Sequence, residues 1–141
     1  MTLTLKNGDM RVQVKDFMST SVIAAEGENS VGEIRKLMEE KRIHAIPILG
    51  PTEHPLKLET ALQGIITATD LCRVTDDNIS VKEVLIPSLV HVINKNTSAK
   101  SAAKMMLKHN VHHLLVLEDG KIIGMISSLD FVKLVAKHGL D

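Results

Sequence analysis

The chain predicts a mixed α/β fold built from two tandem β-α-β-β-α copies of one unit. Two observations carry that reading. The stretch Gly64-Ile65-Ile66-Thr67-Ala68-Thr69-Asp70 recurs as Gly124-Met125-Ile126-Ser127-Ser128-Leu129-Asp130: Gly, two apolar residues, a hydroxyl residue, two variable residues, Asp. Each copy ends an apolar run and opens an amphipathic one, which reads as a buried strand feeding a helix. The segments upstream also recur in order. Ile34 has its counterpart at Ala102, an offset of 68, and Gly64 has its counterpart at Gly124, an offset of 60. The difference falls in the polar stretch 50–60, where an insertion is cheapest.

The elements follow in order. Residues 1–10 include the turn signal Asn7-Gly8-Asp9 and read as a loose N-terminus. Val14, Phe17 and Met18 fit one face of a helical turn. Residues 21–25 are a short apolar run before a turn at Glu26-Gly27-Glu28-Asn29. Ser30 and Glu33 have capping-box spacing, and Val31, Ile34, Leu37 and Met38 continue it as a helix stopping near Lys41. Residues 43–49 read as a strand that Pro47 demotes toward an edge or bulge. A long loop over 50–60 then leads to a partner strand over 62–67. A helix begins at Asp70 and runs to Val74. From Ser80 the pattern restarts: 81–85 echoes 14–18, 89–93 echoes 21–25, Ser98 opens the helix, and 111–117 echoes 43–49. Asp119-Gly120 replaces the long loop with a tight turn. Residues 129–136 form the closing helix.

Each half would be marginal alone. The copies are therefore expected to bury their apolar faces against each other as a pseudo-two-fold module. The first repeat is read as 11–76 and the second as 77–141.

Composition narrows the function. Lys plus Arg equals Asp plus Glu at 17 each, so there is no global field to gather nucleic acid or an anionic membrane. Phe17 and Phe131 are the only aromatics, too few for base-stacking platforms. Cys72 is the one cysteine, which excludes an intramolecular disulfide and suits a reducing compartment. No signal-peptide pattern opens the chain and no apolar run spans a bilayer. A cytoplasmic protein is expected.

Thr67 with Asp70, and Ser127 with Asp130, have the form of helix N-caps, a structural role that needs no ligand. The same geometry can serve a ligand. A helix start offers N–H donors to phosphate, a carboxylate accepts ribose hydroxyls, and a hydroxyl reaches either. His44, His112 and His113 sit at strand starts, as ordinary edge histidines or as cations for phosphate. His109, His112 and His113 have helix-like ligand spacing, but a break at Asn110 and the lack of a Cys or acidic partner argue against metal. Cys72 reads as core.

Taken together, the 14–18 turn, the 30–40 helix, Ile43-His44-Ala45-Ile46-Pro47-Ile48 and the 64–70 stretch, each present twice, resemble a tandem pair of cystathionine-β-synthase (CBS) domains, or Bateman module. The resemblance covers roughly residues 12–136. It implies three strands and two helices per repeat, the repeats packing sheet to sheet. It also implies adenine nucleotides (AMP, ADP or ATP), or S-adenosylmethionine, bound in two clefts. By that analogy Thr67, Asp70, Ser127 and Asp130 bind nucleotide. His112 and His113 would serve the Asp70 site as the better polyphosphate binder, and Arg42 and His44 the Asp130 site. Ala45 stands where the second repeat has His113. Val22, Ile23, Val90 and His91 lie in the runs that form either core or the walls of an adenine slot. Leu115 in place of Pro47, and the long first loop, depart from the family pattern.

The resemblance implies a regulatory sensor, likewise a homodimer, acting on a separate protein. A ligand-free interaction module is the alternative. An enzyme is not expected, because no nucleophile–base pair, metal cluster or phosphate-cradling Gly-rich loop is apparent.

Overall fold

The computed structural model describes residues 11–50, 61–86 and 90–139. The expectations for the N-terminus, for the loop 51–60 and for part of the 89–93 run lie outside those residues. The chain divides into two compact units, residues 23–90 and residues 11–22 joined by 91–139. They are called here the Asp70 unit and the Asp130 unit.

The Asp70 unit carries a three-stranded sheet in the order β1-β2-β3. β1 (Ala25–Glu26) runs parallel to β2 (Ala45–Gly50), which pairs antiparallel with β3 (Ala61–Thr67). α2 (Val31–Lys41) starts on the expected capping box: Glu33 N–H donates to Ser30 Oγ and Ser30 N–H to the Glu33 carboxylate. That backbone donor, with Asn29 and the Ser30 side chain, holds the Glu33 carboxyl below its usual pKa. Arg42 ends the helix in the left-handed region at φ 54°. Val31, Ile34 and Met38 from α2 meet Ile46, Ile48 and Ile66 from the sheet in one core. α3 (Ala68–Leu71) adds Leu71, and a 3₁₀ turn at Val81–Glu83 adds Val81.

The Asp130 unit repeats the plan. β4 (Val92–Ile93) is parallel to β5 (His113–Glu118), and β5 is antiparallel to β6 (Lys121–Ser127). Asp119 and Gly120, at φ 51° and 78°, make the tight turn the sequence announces. α4 (Ala99–His109) is capped by Ser98 and ends at Asn110, again left-handed. α5 (Ser128–His138) closes the unit, and α1 (Val14–Phe17) packs on it: the Phe17 and Phe131 rings meet edge to face at 5.0 Å.

The compact units are not contiguous repeats. The opening segment of each repeat docks on the helix start of the other copy. Ala99 N–H donates to Val12 O, and Val14 N–H to Thr97 O; equivalently, Val31 N–H donates to Ile79 O, and Val81 N–H to Asn29 O. The repeated glycines make this possible. A Cβ on Gly64 would lie 2.7 Å from the Leu85 side chain, and one on Gly124 2.5 Å from Met18 Sδ. Met18 and Leu85 are counterparts in the repeat, so each glycine admits the same residue position.

Three expectations are corrected. Pro47 lies in the central strand of its sheet and is fully buried, not at an edge. Nor does it cause a bulge, because the register shifts between Ile48 and Leu49 just as it does between Val116 and Leu117, where there is no proline. Proline is tolerated because β1 pairs only from Ile48 onward. Its counterpart Leu115 does use its N–H, donating to His91 O. The helix after Thr67 starts at Ala68 and stops at Leu71, short of Val74, and Cys72, just past its end, is exposed rather than core.

Candidate functional site

In the Asp70 unit, pairing of Ala45 with Thr67 brings the start of β2 to the end of β3. The His44 carbonyl accepts the Ala68 N–H at 2.8 Å, stitching the strand start to the helix start. Asp70 N–H donates to Thr67 Oγ1, and Thr67 N–H donates to Asp70 Oδ2 at 2.9 Å. The cap reading is therefore realised, and it uses one of a carboxylate's roughly four acceptor positions. Asp70 and His44 are exposed, Thr67 is half-buried and Ala45 is buried.

The Asp130 unit builds the same arrangement with more polar groups. Ser128 N–H donates to the His112 carbonyl at 3.0 Å. Ser127 N–H donates to Asp130 Oδ2 at 2.8 Å, and Ser127 O–H reaches the same oxygen at 3.2 Å. The His112 ring is held as well, with Nδ1 3.0 Å from Ser128 Oγ. Its counterpart pair is His44 and Ala68, which has no hydroxyl. His113 pairs with Ser127 across the ladder, at the position Ala45 takes in the other unit. Both caps head a helix, but α5 has eleven residues and α3 four.

The remaining expected site residues divide between the units. Ile23 and Val90 fall with Asp70; Val22 and His91 fall with Asp130. All four are half-buried. Arg42 is exposed at the end of α2, its N–H donating to Met38 O. His91 is drawn to the end of α4, where its ring stacks on His109 with centroids 4.1 Å apart. Burial, and then the neighbouring His109, lower the His91 pKa below its usual value. Ser128 was not among the expected site residues. Its signal was the doubled Ser127-Ser128 where the first copy reads Thr67-Ala68. Among the described residues, no three His, Cys, Asp or Glu side chains cluster to hold a metal ion.

The CBS domain family matches the chain twice, over residues 14–77 and 81–137. The chain belongs to the CBS domain family. Its fold matches the crystal structure of the CBS domain pair of protein MJ0100 in complex with 5′-methylthioadenosine and S-adenosyl-L-methionine. That match has a TM-score of 0.76 and 25% identity, over 90% of this chain and 98% of the other. A conserved protein from Pyrococcus horikoshii shares the fold at a TM-score of 0.78 and 22% identity, over 94% and 98% of the two chains. Inosine-5′-monophosphate dehydrogenase of Staphylococcus aureus is 31% identical over 108 residues, 77% of this chain. The chain spans about a fifth of that enzyme, 21% of its length.

Proposed function

We propose that this CBS pair is a regulatory module that binds an adenine nucleotide (AMP, ADP or ATP) and reports it to a separate protein. The observation that carries the reading is the carboxylate kept twice, Asp70 and Asp130, each on a cap beside a strand-start histidine. The carboxylates accept ribose hydroxyls, Thr67 and Ser127 reach ribose or phosphate, and His44, His112 and His113 supply N–H donors or positive charge. Arg42 adds a cation, while Val22, Ile23, Val90 and His91 offer walls for the base. The part of the dehydrogenase that the chain resembles is a minor share of that enzyme, so no catalysis is assigned. The lone thiol of Cys72 fits a cytoplasmic setting.

Calorimetric titration of Asp70→Ala and Asp130→Ala, alongside melting curves without ligand, tests the reading. Each change should remove or weaken one binding step by about 1.5–3 kcal/mol. Unchanged affinity with a lowered ligand-free melting temperature leaves only the cap. The His112→Ala, His113→Ala double variant then shows which carboxylate the histidines serve. If they read phosphate, ATP weakens more than adenosine, and the step that is lost names the site.

A second ligand reading has its own support. The MJ0100 pair is described with 5′-methylthioadenosine and S-adenosyl-L-methionine. A melting-temperature screen with ATP, ADP, AMP and S-adenosylmethionine ranks the two classes by linkage. No shift with any of them points to a ligand-free interaction module.

Self-association belongs to the same proposal. Leu129, Val132 and Val135 form an exposed apolar stripe on α5, 54, 60 and 41% accessible. A second copy covers such a stripe most simply as a symmetric dimer. A monomer mass by light scattering at micromolar concentration removes the dimer.

A further inference from the structure

The two units differ at the sheet end away from the caps. In the Asp130 unit, Lys95 Nζ and Glu118 Oε1 pair at 2.7 Å across the ends of β4 and β5. By the offset of 68, their counterparts in the Asp70 unit are Gly27 and Gly50. The equivalence is structural as well, since Lys15 N–H donates to Lys95 O where Lys82 N–H donates to Gly27 O. Two glycines thus stand where the other copy has an ion pair, and a cavity of about 610 Å³ opens beside them. That is within the roughly 300–1,000 Å³ of small-molecule sites.

The cavity is not the carboxylate site. β2 pairs with Thr67 at Ala45 and reaches the cavity at Ile48–Gly50, about 10–17 Å along the strand. Ala24, Ala25, Ile48, Leu49 and Leu85 give it apolar walls. Its charged lining is Glu26, Glu28 and Lys82. Lys82 Nζ is neutralised by Glu28 at 2.7 Å, which leaves Glu26 as the unbalanced charge among the described lining residues. Glu26 uses its backbone N–H on Asn29 Oδ1, a contact that fixes the turn without engaging its carboxylate.

We propose that this cavity binds a small, mostly apolar molecule carrying one amine, its body against the alanine and leucine walls and its ammonium toward Glu26. The loss of the ion pair in one copy alone makes this site specific to the Asp70 unit.

The test titrates the ¹⁵N-labelled full chain with cyclohexylmethylamine, and in parallel with cyclohexylmethanol and cyclohexanecarboxylate. The amine should give saturable shifts at the Ala25, Gly27 and Gly50 amides. The alcohol, which keeps the shape without the charge, should bind up to about fivefold more weakly, the upper end of the range expected for a solvent-exposed charge contact. Glu26→Gln should bring the amine to the alcohol's affinity. Ala24→Met, at an exposed position, should crowd the cavity and weaken both, while an unchanged spectrum elsewhere certifies the fold. No saturable shift up to about 10 mM amine overturns the site. Indifference to Ala24→Met also overturns it, while equal binding of alcohol and amine, or tightest binding of the carboxylate, overturns the charge assignment.

Discussion

Residues 45–71 and 113–138 share one hairpin, one register shift and one cap, yet the helix that follows has four residues in the first and eleven in the second. The cap chemistry is the same, so it does not set the length. What differs is where the chain must go next. Soon after Leu71, the Asp77 carbonyl accepts Gly32 N–H, the Ile79 carbonyl accepts Val31 N–H, and Ser80 bridges to Ser30. The Arg35 guanidinium also holds Asp77 at 3.0 Å and donates to the Val74 carbonyl. A helix continued past Leu71 would carry those groups away from their partners. α5 runs on to His138, where the Gly139 N–H still donates to the Val135 carbonyl. The length of α3 is set by tertiary appointments rather than by its cap.

The largest effects come from the paired cores. Ile66→Ala and Ile126→Ala each empty a fully buried position and should destabilise by about 2–5 kcal/mol in urea unfolding. Hydrogen exchange sharpens the comparison. Ile66→Ala should speed exchange first in residues 23–90, and Ile126→Ala in 11–22 and 91–139. If Ile66→Ala instead releases α1, the exchanged openings do not belong where the structure puts them.

The glycines separate the copies next. A methyl on Gly124 meets Met18 Sδ at 2.5 Å and the Ser19 carbonyl at 3.0 Å. That carbonyl is fixed, because Ser19 and Met125 exchange both backbone bonds. Gly124→Ala should therefore lower stability by about 1–3 kcal/mol. The nearest atoms to a methyl on Gly64 belong to the branched end of Leu85, a side chain rather than a fixed carbonyl. Gly64→Ala should lie below about 1 kcal/mol. Equal losses in equilibrium unfolding would mean that the backbone at Ser19 yields as easily as a side chain.

Much of this was legible beforehand. The Ser30–Glu33 capping box, the Asp119-Gly120 turn and the doubled cap motif each depend on residues within a few positions, and sequence reports such local chemistry directly. The exchange of the opening segments was not legible. Val14, Phe17 and Met18 show an apolar face in either arrangement, and nothing in their spacing says which sheet covers it. Pro47 misled for a related reason: whether a missing N–H matters depends on whether a neighbouring strand has begun opposite it. Cys72 reads as core only on a helix that continues past Leu71, and α3 ends there. The candidate site divides in the same way. Its caps were written in the sequence. His112 on Ser128, and His91 on His109, come from the folded chain.

Caps give a smaller contrast. Ser127→Ala removes an acceptor for Asp130 N–H at the head of eleven residues and should cost about 1 kcal/mol. Thr67→Ala removes the same bond from a four-residue helix whose Leu71 is already held in the core, so about 0.5 kcal/mol is expected. A larger loss at Thr67 in thermal unfolding would show that α3 depends on its cap more than on Leu71.

The smallest expected effect is one of pH, confined to the Asp130 unit. His91 lies stacked on His109, with Lys108 and His109 in the last turn of α4. Burial and then the neighbouring ring keep its pKa below the ordinary 6.5. The unfolded chain therefore binds this proton more readily than the folded one, so stability rises with pH through this window. The contribution is complete above about 6.5 and fades as pH falls toward the lowered value. His109→Gln removes only the second cause. Some of the fall should persist, because burial of His91 remains. Proton NMR titration of the His91 ring, with melting curves between about pH 7.5 and 5.5, one unit either side of the ordinary value, separates the two causes. If His109→Gln leaves the His91 titration where it was, the stacked ring contributes nothing and burial acts alone. If it carries the titration all the way to the ordinary value, burial has been given too large a share.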